Sequence, residues 1–390
     1  MRKLLAVLLF LALAACFSFA VAEEPGEDEL PERLTSGYWV YTLREDGTAE
    51  IDEFLDETAD EAVIPEELDG YRVTGVGRMA FVSLDSLERI VIPDTVTFVG
   101  GSAFYTCESL EEITFPDSVS YVESNPFDSC WNLNKIHLSP DHPYLEIVDG
   151  VLYTRPDRRL LSCLPGRDEG PFAVPDGVTE IADKAFCACS FLTGVTVPGS
   201  VKRIGDNAFA ECEYMTEVTL AEGLESLGSQ AFYYCPELTS VTLPDSLEYI
   251  GKNPFLRSWD LEVHVADDHP YLEVTDGVLF SRADGRLVYY PYTLPDTDYT
   301  VPDGTKIIGD LSFSAGYNIT AVILPDSVTE IREDAFAYTT SLSDIFIPDS
   351  VTAIADYAFA GCEGLAVTAA PGSFAENYCL EHNIRCIGAE

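Results

Sequence analysis

Phenylalanine returns along this chain at a fixed interval. Phe81, Phe104 and Phe127 are 23 residues apart, as are Phe186, Phe209, Phe232 and Phe255, and again Phe313, Phe336 and Phe359. One template surrounds them: L-x-x-[IV]-x-[IVLF]-P-[DG]-S-V-x-x-[IV]-G-x-x-A-F-x-x-C. Leu110 to Cys130, LEEITFPDSVSYVESNPFDSC, is one turn of it. A unit this short cannot bury its apolar face alone. The period therefore predicts an elongated, right-handed, β-rich solenoid whose coils share one core. Ile113 and Phe115 point inward with the period of a strand. Pro116 has no amide donor and ends that first arm. Asp117 and Ser118 shape a turn. Val119 and Val122 begin a second apolar arm, and in a later coil Gly205 marks a corner where glycine permits a tight bend. Ala208-Phe209 closes that coil with the ring inward. Each side chain is expected to stack on its counterpart roughly 4.8 Å away.

The interval is broken twice, by insertions at about 139–175 and 266–302. Asp141-His142-Pro143-Tyr144-Leu145-Glu146 returns as Asp268-His269-Pro270-Tyr271-Leu272-Glu273. Both insertions are expected to be β-hairpins on one face of the solenoid, with Asp284-Gly285 as a turn. The four phenylalanines from Phe81 to Phe186 map onto those from Phe209 to Phe313 at offsets of 127 or 128, so a block was duplicated. The ends differ from the repeat, as terminal coils that cover an open core should. Residues 36–62 are read as a capping hairpin region, 63–370 as the solenoid and 371–390 as a C-terminal cap. In the cap, Ser373 and Glu376 match a capping box ahead of a helix, and Asn383 to Ile387 reads as a last strand.

These residues resemble the BspA-like, or Treponema-type, leucine-rich repeat family. The resemblance rests on Leu238 to Pro244 with Leu247, Ile250 and Gly251. It also rests on D-G-V-L-[YF] at Asp149 and Asp276, and on G-S-x-A-x-x-Y at Gly372 to Tyr378. It covers about Val63 to Ile387. Leu84, Ser258, Gly316 and Thr339 replace the template cysteine. The resemblance implies a secreted or surface-attached bacterial protein, in a family with several members linked to adhesion to host matrix or to other bacteria. It supplies no catalytic residues.

The N-terminus points the same way. Arg2 and Lys3 precede an apolar run too short to span a membrane. Residues 1–22 are expected to be a signal peptide cut after Ala20-Val21-Ala22. The alternative is a 15-residue leader with Cys16 as the lipidated first residue. Residues 23–35 form an acidic tether or mature N-terminus. The formal charge of −45 argues against nucleic acid and anionic lipid as partners. No nucleophile elbow, phosphate loop or zinc-protease motif is present, so no enzyme, cofactor or metal is expected. His137, His142, His264 and His269 are read as polar residues at strand ends and insertion turns.

The function expected is an extracellular or cell-surface binding or adhesion module for a protein or glycan. A structural envelope protein, or less readily a secreted hydrolase, is the alternative. Two surfaces compete as its site. The first is the outward row of the first arms: Val91, Thr114, His137, Thr196, Thr219, Thr242, Ile323 and Phe346. Ordinary β-propensity also accounts for these residue types. The second is the pair of insertions, at Tyr144, Tyr153, Tyr271 and Phe280. The cysteines that share one repeat position, such as Cys107 and Cys130, are expected to be free, buried thiols rather than bridges between coils. Cys163 could pair with Cys187. Cys379 and Cys386 are expected to form a disulfide within the cap.

Overall fold

A computed structural model describes residues 32–164 and 169–388. The leader, Cys16 and most of the acidic segment lie outside them. The described chain is a mostly-β solenoid with one helix, Phe374–Glu381. Alternation of buried and exposed residues makes each first arm a short strand. Because every coil returns in the same direction, these strands pair in parallel. Glu61–Val63, Arg89–Val91, Glu112–Thr114 and Lys135–His137 form one sheet. Asp298–Thr300, Ala321–Ile323, Asp344–Phe346, Ala366–Ala369 and Arg385–Gly388 form another. Second arms are strands of two residues, such as Arg203–Ile204, Ser226–Leu227 and Tyr249–Ile250, also parallel.

The corner glycines have a reason other than a tight bend. Gly205, Gly228 and Gly251 are not in the left-handed region. A Cβ on Gly228 would lie 2.4 Å from the carbonyl carbon of Gly205, and one on Gly251 2.4 Å from the amide nitrogen of Ser229. Coil-on-coil approach, not backbone freedom, is what selects glycine there.

The third side of a coil is not a strand. Asn207 (φ 54°) and Glu211 (φ 59°) flank Phe209 in the left-handed region. Their N–H groups, with that of Phe209, donate to the next coil at Ser229, Tyr233 and Ala231, at 2.9, 2.7 and 2.8 Å. Each left-handed residue costs on the order of 1 kcal/mol. The cost is offset by leaving no buried amide unpaired. The rings between stack, Phe186 on Phe209 at 5.1 Å and Phe209 on Phe232 at 5.2 Å. Phe54 and Trp39 close the stack at one end and Tyr378 at the other, where it meets Phe359 at 6.1 Å.

The row of cysteines is a hydrogen-bond ladder as well as packing. Apart from Cys189, each Sγ in the row donates to the carbonyl 26 residues earlier, as Cys107 to Phe81 at 2.8 Å, Cys130 to Phe104 at 2.9 Å and Cys235 to Phe209 at 3.2 Å. Ser258 and Thr339 fill the same position with hydroxyls that donate to Phe232 and Phe313, both at 2.9 Å. The described cysteines are all free thiols.

The insertions are part of the solenoid wall. Each is a three-stranded antiparallel meander: Leu145–Val148, Val151–Thr154 and Arg159–Cys163 in the first, Leu272–Thr275, Val278–Ser281 and Arg286–Tyr289 in the second. The last strand of each then pairs in parallel with a second arm, at Glu180–Ile181 and Ile307–Ile308. The expected hairpins are present, with Asp284-Gly285 at a turn of the second, and the expectation that they sit on one face is corrected because they continue the wall. Their second and third strands are almost wholly buried because they replace a coil, whereas the first strand of each is buried at its leading leucine alone.

In the cap, the Ser373 hydroxyl accepts from Glu376 N at 3.1 Å, and the Glu376 carboxylate accepts from Gly372 N at 2.6 Å. This satisfies two amide groups at the helix start.

Candidate functional site

The eight residues read from the sequence as an outward row do face outward from one side of the solenoid. Thr114, Thr196, Thr219, Thr242 and Ile323 are exposed, and Val91, His137 and Phe346 half-buried. Their buried neighbours, such as Ile113, Val195, Val241 and Val322, fix this orientation through the two-residue period of the strand. Register aligns them: Val91 with Thr114 and His137, Thr196 with Thr219, Ile323 with Phe346. Thr219 and Thr242 lie on strands that pack side by side without a continuous ladder.

Six further residues share the row. Val63 pairs with Val91, Ala173 with Thr196, His264 with Thr242, Thr300 with Ile323, and Thr368 and then Ile387 follow Phe346. Sequence reasoning missed them because their coils vary in length or lack the template proline. The signal available was the polar–apolar–polar triplet itself, as in Glu262-Val263-His264.

The face changes character along its length. At its N-terminal end charges are paired: Arg89 with Glu61 at 3.8 Å and His137 with Glu112 at 2.9 Å. The His137 hydrogen bond and the nearby Lys135 hold the Glu112 carboxyl below its ordinary range. The middle is lined by threonine and by Gly194. The C-terminal end is apolar, with Ile323 51% exposed and Ile387 39% exposed. Asp298 and Asp344 flank it, hydrogen-bonded by the hydroxyls of Thr320 and Ser343. Beside Phe346 an open groove of about 360 Å³ runs between Asp326, Pro348, Asp349, Ser350 and Ala370. The Ser350 hydroxyl has no hydrogen-bond partner there.

The insertion residues fare differently. Tyr153 and Phe280 are 3% and 5% exposed and belong to the core, so they offer no binding surface. Tyr144 and Tyr271 are half-buried, and the Tyr271 hydroxyl donates to Glu248 at 3.1 Å. His142 and His269 are buried. Nε2 of each meets a proline carbonyl, Pro116 at 3.0 Å and Pro244 at 2.9 Å. Nδ1 accepts two amides, from Tyr144 and Leu145 and from Tyr271 and Leu272. Both rings therefore carry their proton on Nε2 and staple the insertion to the coil before it.

Carboxylates also gather in a groove between coils, at Asp206, Asp310, Glu333 and Asp334 around Lys252. Burial raises Asp206, Glu333 and Asp334 above the ordinary carboxylate range. The cavity is about 70 Å³, room for a few waters, whereas small-molecule sites run to roughly 300 Å³ and more. Asp206 is already committed to the Ser229 amide at 2.7 Å. Among the described residues no group of three or more His, Cys, Asp or Glu is placed to hold a metal ion, and no helix is long and apolar enough to cross a membrane.

The cysteines expected to pair are also placed. Cys379 and Cys386 are neighbours in the cap, and both are free thiols. Cys163 lies beside Cys189.

Several solved structures are similar to this chain. A leucine-rich cell surface protein from Faecalibacterium prausnitzii is 25% identical over 93% of this chain and 96% of its own, with a TM-score of 0.47. A leucine-rich repeat protein from Eubacterium ventriosum is 17% identical over 84% and 93%, with a TM-score of 0.45. The pneumococcal vaccine antigen PcpA is 16% identical over 93% and 99%, with a TM-score of 0.40. No curated protein matches the chain. The model of the BspA type leucine-rich repeat region matches in six copies, over residues 72–148, 171–268 and 290–382. With more than half its length in that repeat, the chain belongs to the BspA-type leucine-rich repeat family.

Proposed function

We propose that the protein is a non-enzymatic binding module outside the cell, secreted or lipid-anchored, that recognises an extracellular protein or glycan through its first-arm face. One observation carries this reading. Rows of outward side chains stand on the first-arm strands of four sheets, and the last row is an apolar strip beside an open groove. Stacked repeats generate extended recognition surfaces of this kind. Acidic flanks favour a basic partner. The small acidic groove between coils gives a hydrolase too little room to hold a substrate. The leader read at residues 1–22 and the family support an extracellular site of action.

The test is binding of the purified mature chain to matrix proteins, mucins, glycans and bacterial surfaces, followed by charge substitution on any ligand found. Thr219→Lys with Thr242→Lys alters the face. Tyr144→Ser with Tyr271→Ser alters the half-buried insertion tyrosines. With both variants shown folded by thermal melting, the face variant is expected to lose affinity at least tenfold, about 1.4 kcal/mol. Unchanged affinity in it, with a large loss in the insertion variant, would remove the face as the site.

A further inference from the structure

Cys163 holds the place of a ring. It precedes Phe186 by one 23-residue period, as Tyr290 precedes Phe313. Tyr290 stacks on Phe313 with centroids 4.8 Å apart. The row of thiols reaches the residue 26 positions back, as Cys212 does at Phe186 and Cys362 at Phe336. Counting back from Cys189 by the same 26 gives Cys163. That register lays the Cys189 thiol over Cys163, and Cys163 is close enough to perturb it. Both are buried in the same core cluster. The duplicated block carries Tyr290 and Gly316 at the corresponding positions, one large ring and no side chain. Two small groups in one copy thus stand where one large group fills the space in the other.

We propose that Cys163 and Cys189 form a disulfide in oxidising surroundings, locking the last strand of the first insertion to the turn of the following coil. In the cell this rests on the extracellular reading above, because cytosolic thiols stay reduced. One thiolate attacks an external protein or small-molecule disulfide, forming a mixed disulfide and releasing one thiol. The second cysteine displaces the other thiol. Two S–H bonds are exchanged for one S–S bond, and the external disulfide leaves as two thiols carrying the two protons. The other row cysteines are held apart by the carbonyls they donate to. Cys187 has Asp128, Glu211 and Lys184 as charged neighbours. Burial keeps both thiols of the pair from attack in the folded chain, so the bond closes during folding.

The test is refolding of the purified chain from denaturant in oxidising glutathione. Alkylation unfolded but unreduced, and peptide mapping by mass spectrometry, then follow. The expected product is one peptide joining Cys163 to Cys189, with Cys107, Cys130, Cys212 and Cys235 alkylated. Reductant should lower Tm further in this protein than in the Cys163→Ser/Cys189→Ser variant, by about 5 °C. If that variant fails to fold, the map alone decides. Alkylated Cys163 and Cys189 after oxidative refolding, or a Cys163–Cys187 link, overturns the proposal. A link formed in glutathione but absent from protein taken from cells leaves the pairing intact and counts against the extracellular reading.

Discussion

The two insertions are anchored alike and sealed differently. His142 and His269 staple them to the preceding coil through equivalent carbonyls. Arg159 donates to the carbonyls of Val122 and Glu123, and Arg286 to those of Ile250 and Gly251. Asn125 and Asn253 each bridge the seam, donating to Lys184 O at 2.8 Å and Leu311 O at 2.7 Å. The groups that must satisfy backbone are thus the same in both copies. The groups that only fill space or balance charge are not. Cys163 faces one seam and Tyr290 the other. Lys184, after the first insertion, reaches back to Asp128 at 2.8 Å. At the second seam the polarity is reversed, with Lys252 before the insertion reaching forward to Asp310 at 3.0 Å. Unmet backbone groups admit few solutions, whereas volume and charge admit several.

The largest effect that separates the seams should come from the ring. Tyr290 stacks on Phe313 and packs on Tyr299 at 5.0 Å. Tyr290→Ala is expected to cost about 3–5 kcal/mol by denaturant unfolding. Cys163→Ala, measured in reductant, should cost about 1–2 kcal/mol because less volume is lost. Equal losses would mean that the first seam depends on its thiol as the second does on its ring.

The lysines come next. Asp128 is almost fully buried beside Lys184. Burial opposes the Lys184 charge, yet Asp128 holds the ammonium above its ordinary value. Lys184→Met strands that carboxylate and should cost about 2–4 kcal/mol. Lys252 is more exposed, and Asp310 keeps Arg332 at 3.9 Å. Lys252→Met should therefore cost about 1 kcal/mol or less. Comparable losses in paired unfolding curves would contradict the reading that Lys184 is the one cation paired with Asp128 among the described residues.

The sequence carried the coil, the strand faces and the cap, because each follows from a period and a turn residue. Val119, Leu238 and Phe209 are buried wherever the template puts them. It did not show why glycine occupies the corner, because the contact that selects Gly228 comes from Gly205 in another coil. The thiol ladder was half legible: Ser258 and Thr339 in the cysteine row already favoured a donor over mere small size. The role of Asn-Pro-Phe before each insertion was also within reach, since both copies replace x-A-F with it. For the candidate face, side-chain direction could be read from the strand period. Exposure at Tyr153 and Phe280 could not, because it depended on the insertions becoming wall.

The smallest expected effect concerns the groove at the second seam, where Asp334 stands at the position that Asn207 holds one block earlier. Both are left-handed, at φ 52° and 54°, a conformation that asparagine accepts readily. Asp334 faces Asp310 and Lys252, with Glu333, Asp206 and Asn207 lining the same groove. Burial is the main cause that raises its carboxyl, with Asp310 adding to it and Lys252 opposing. A carboxyl raised on folding contributes stability below its unfolded pKa and loses it as pH rises through the folded value. At neutral pH its charge is therefore a burden. Asp334→Asn should raise Tm by about 1–2 °C at pH 7, with the difference vanishing near pH 3. The reciprocal Asn207→Asp should lower Tm at pH 7 and not at pH 3. A stabilising effect of Asp334→Asn that persisted unchanged in acid would assign the gain to backbone preference instead of charge. The two copies would then differ at this position for a conformational reason, although their backbones there are the same.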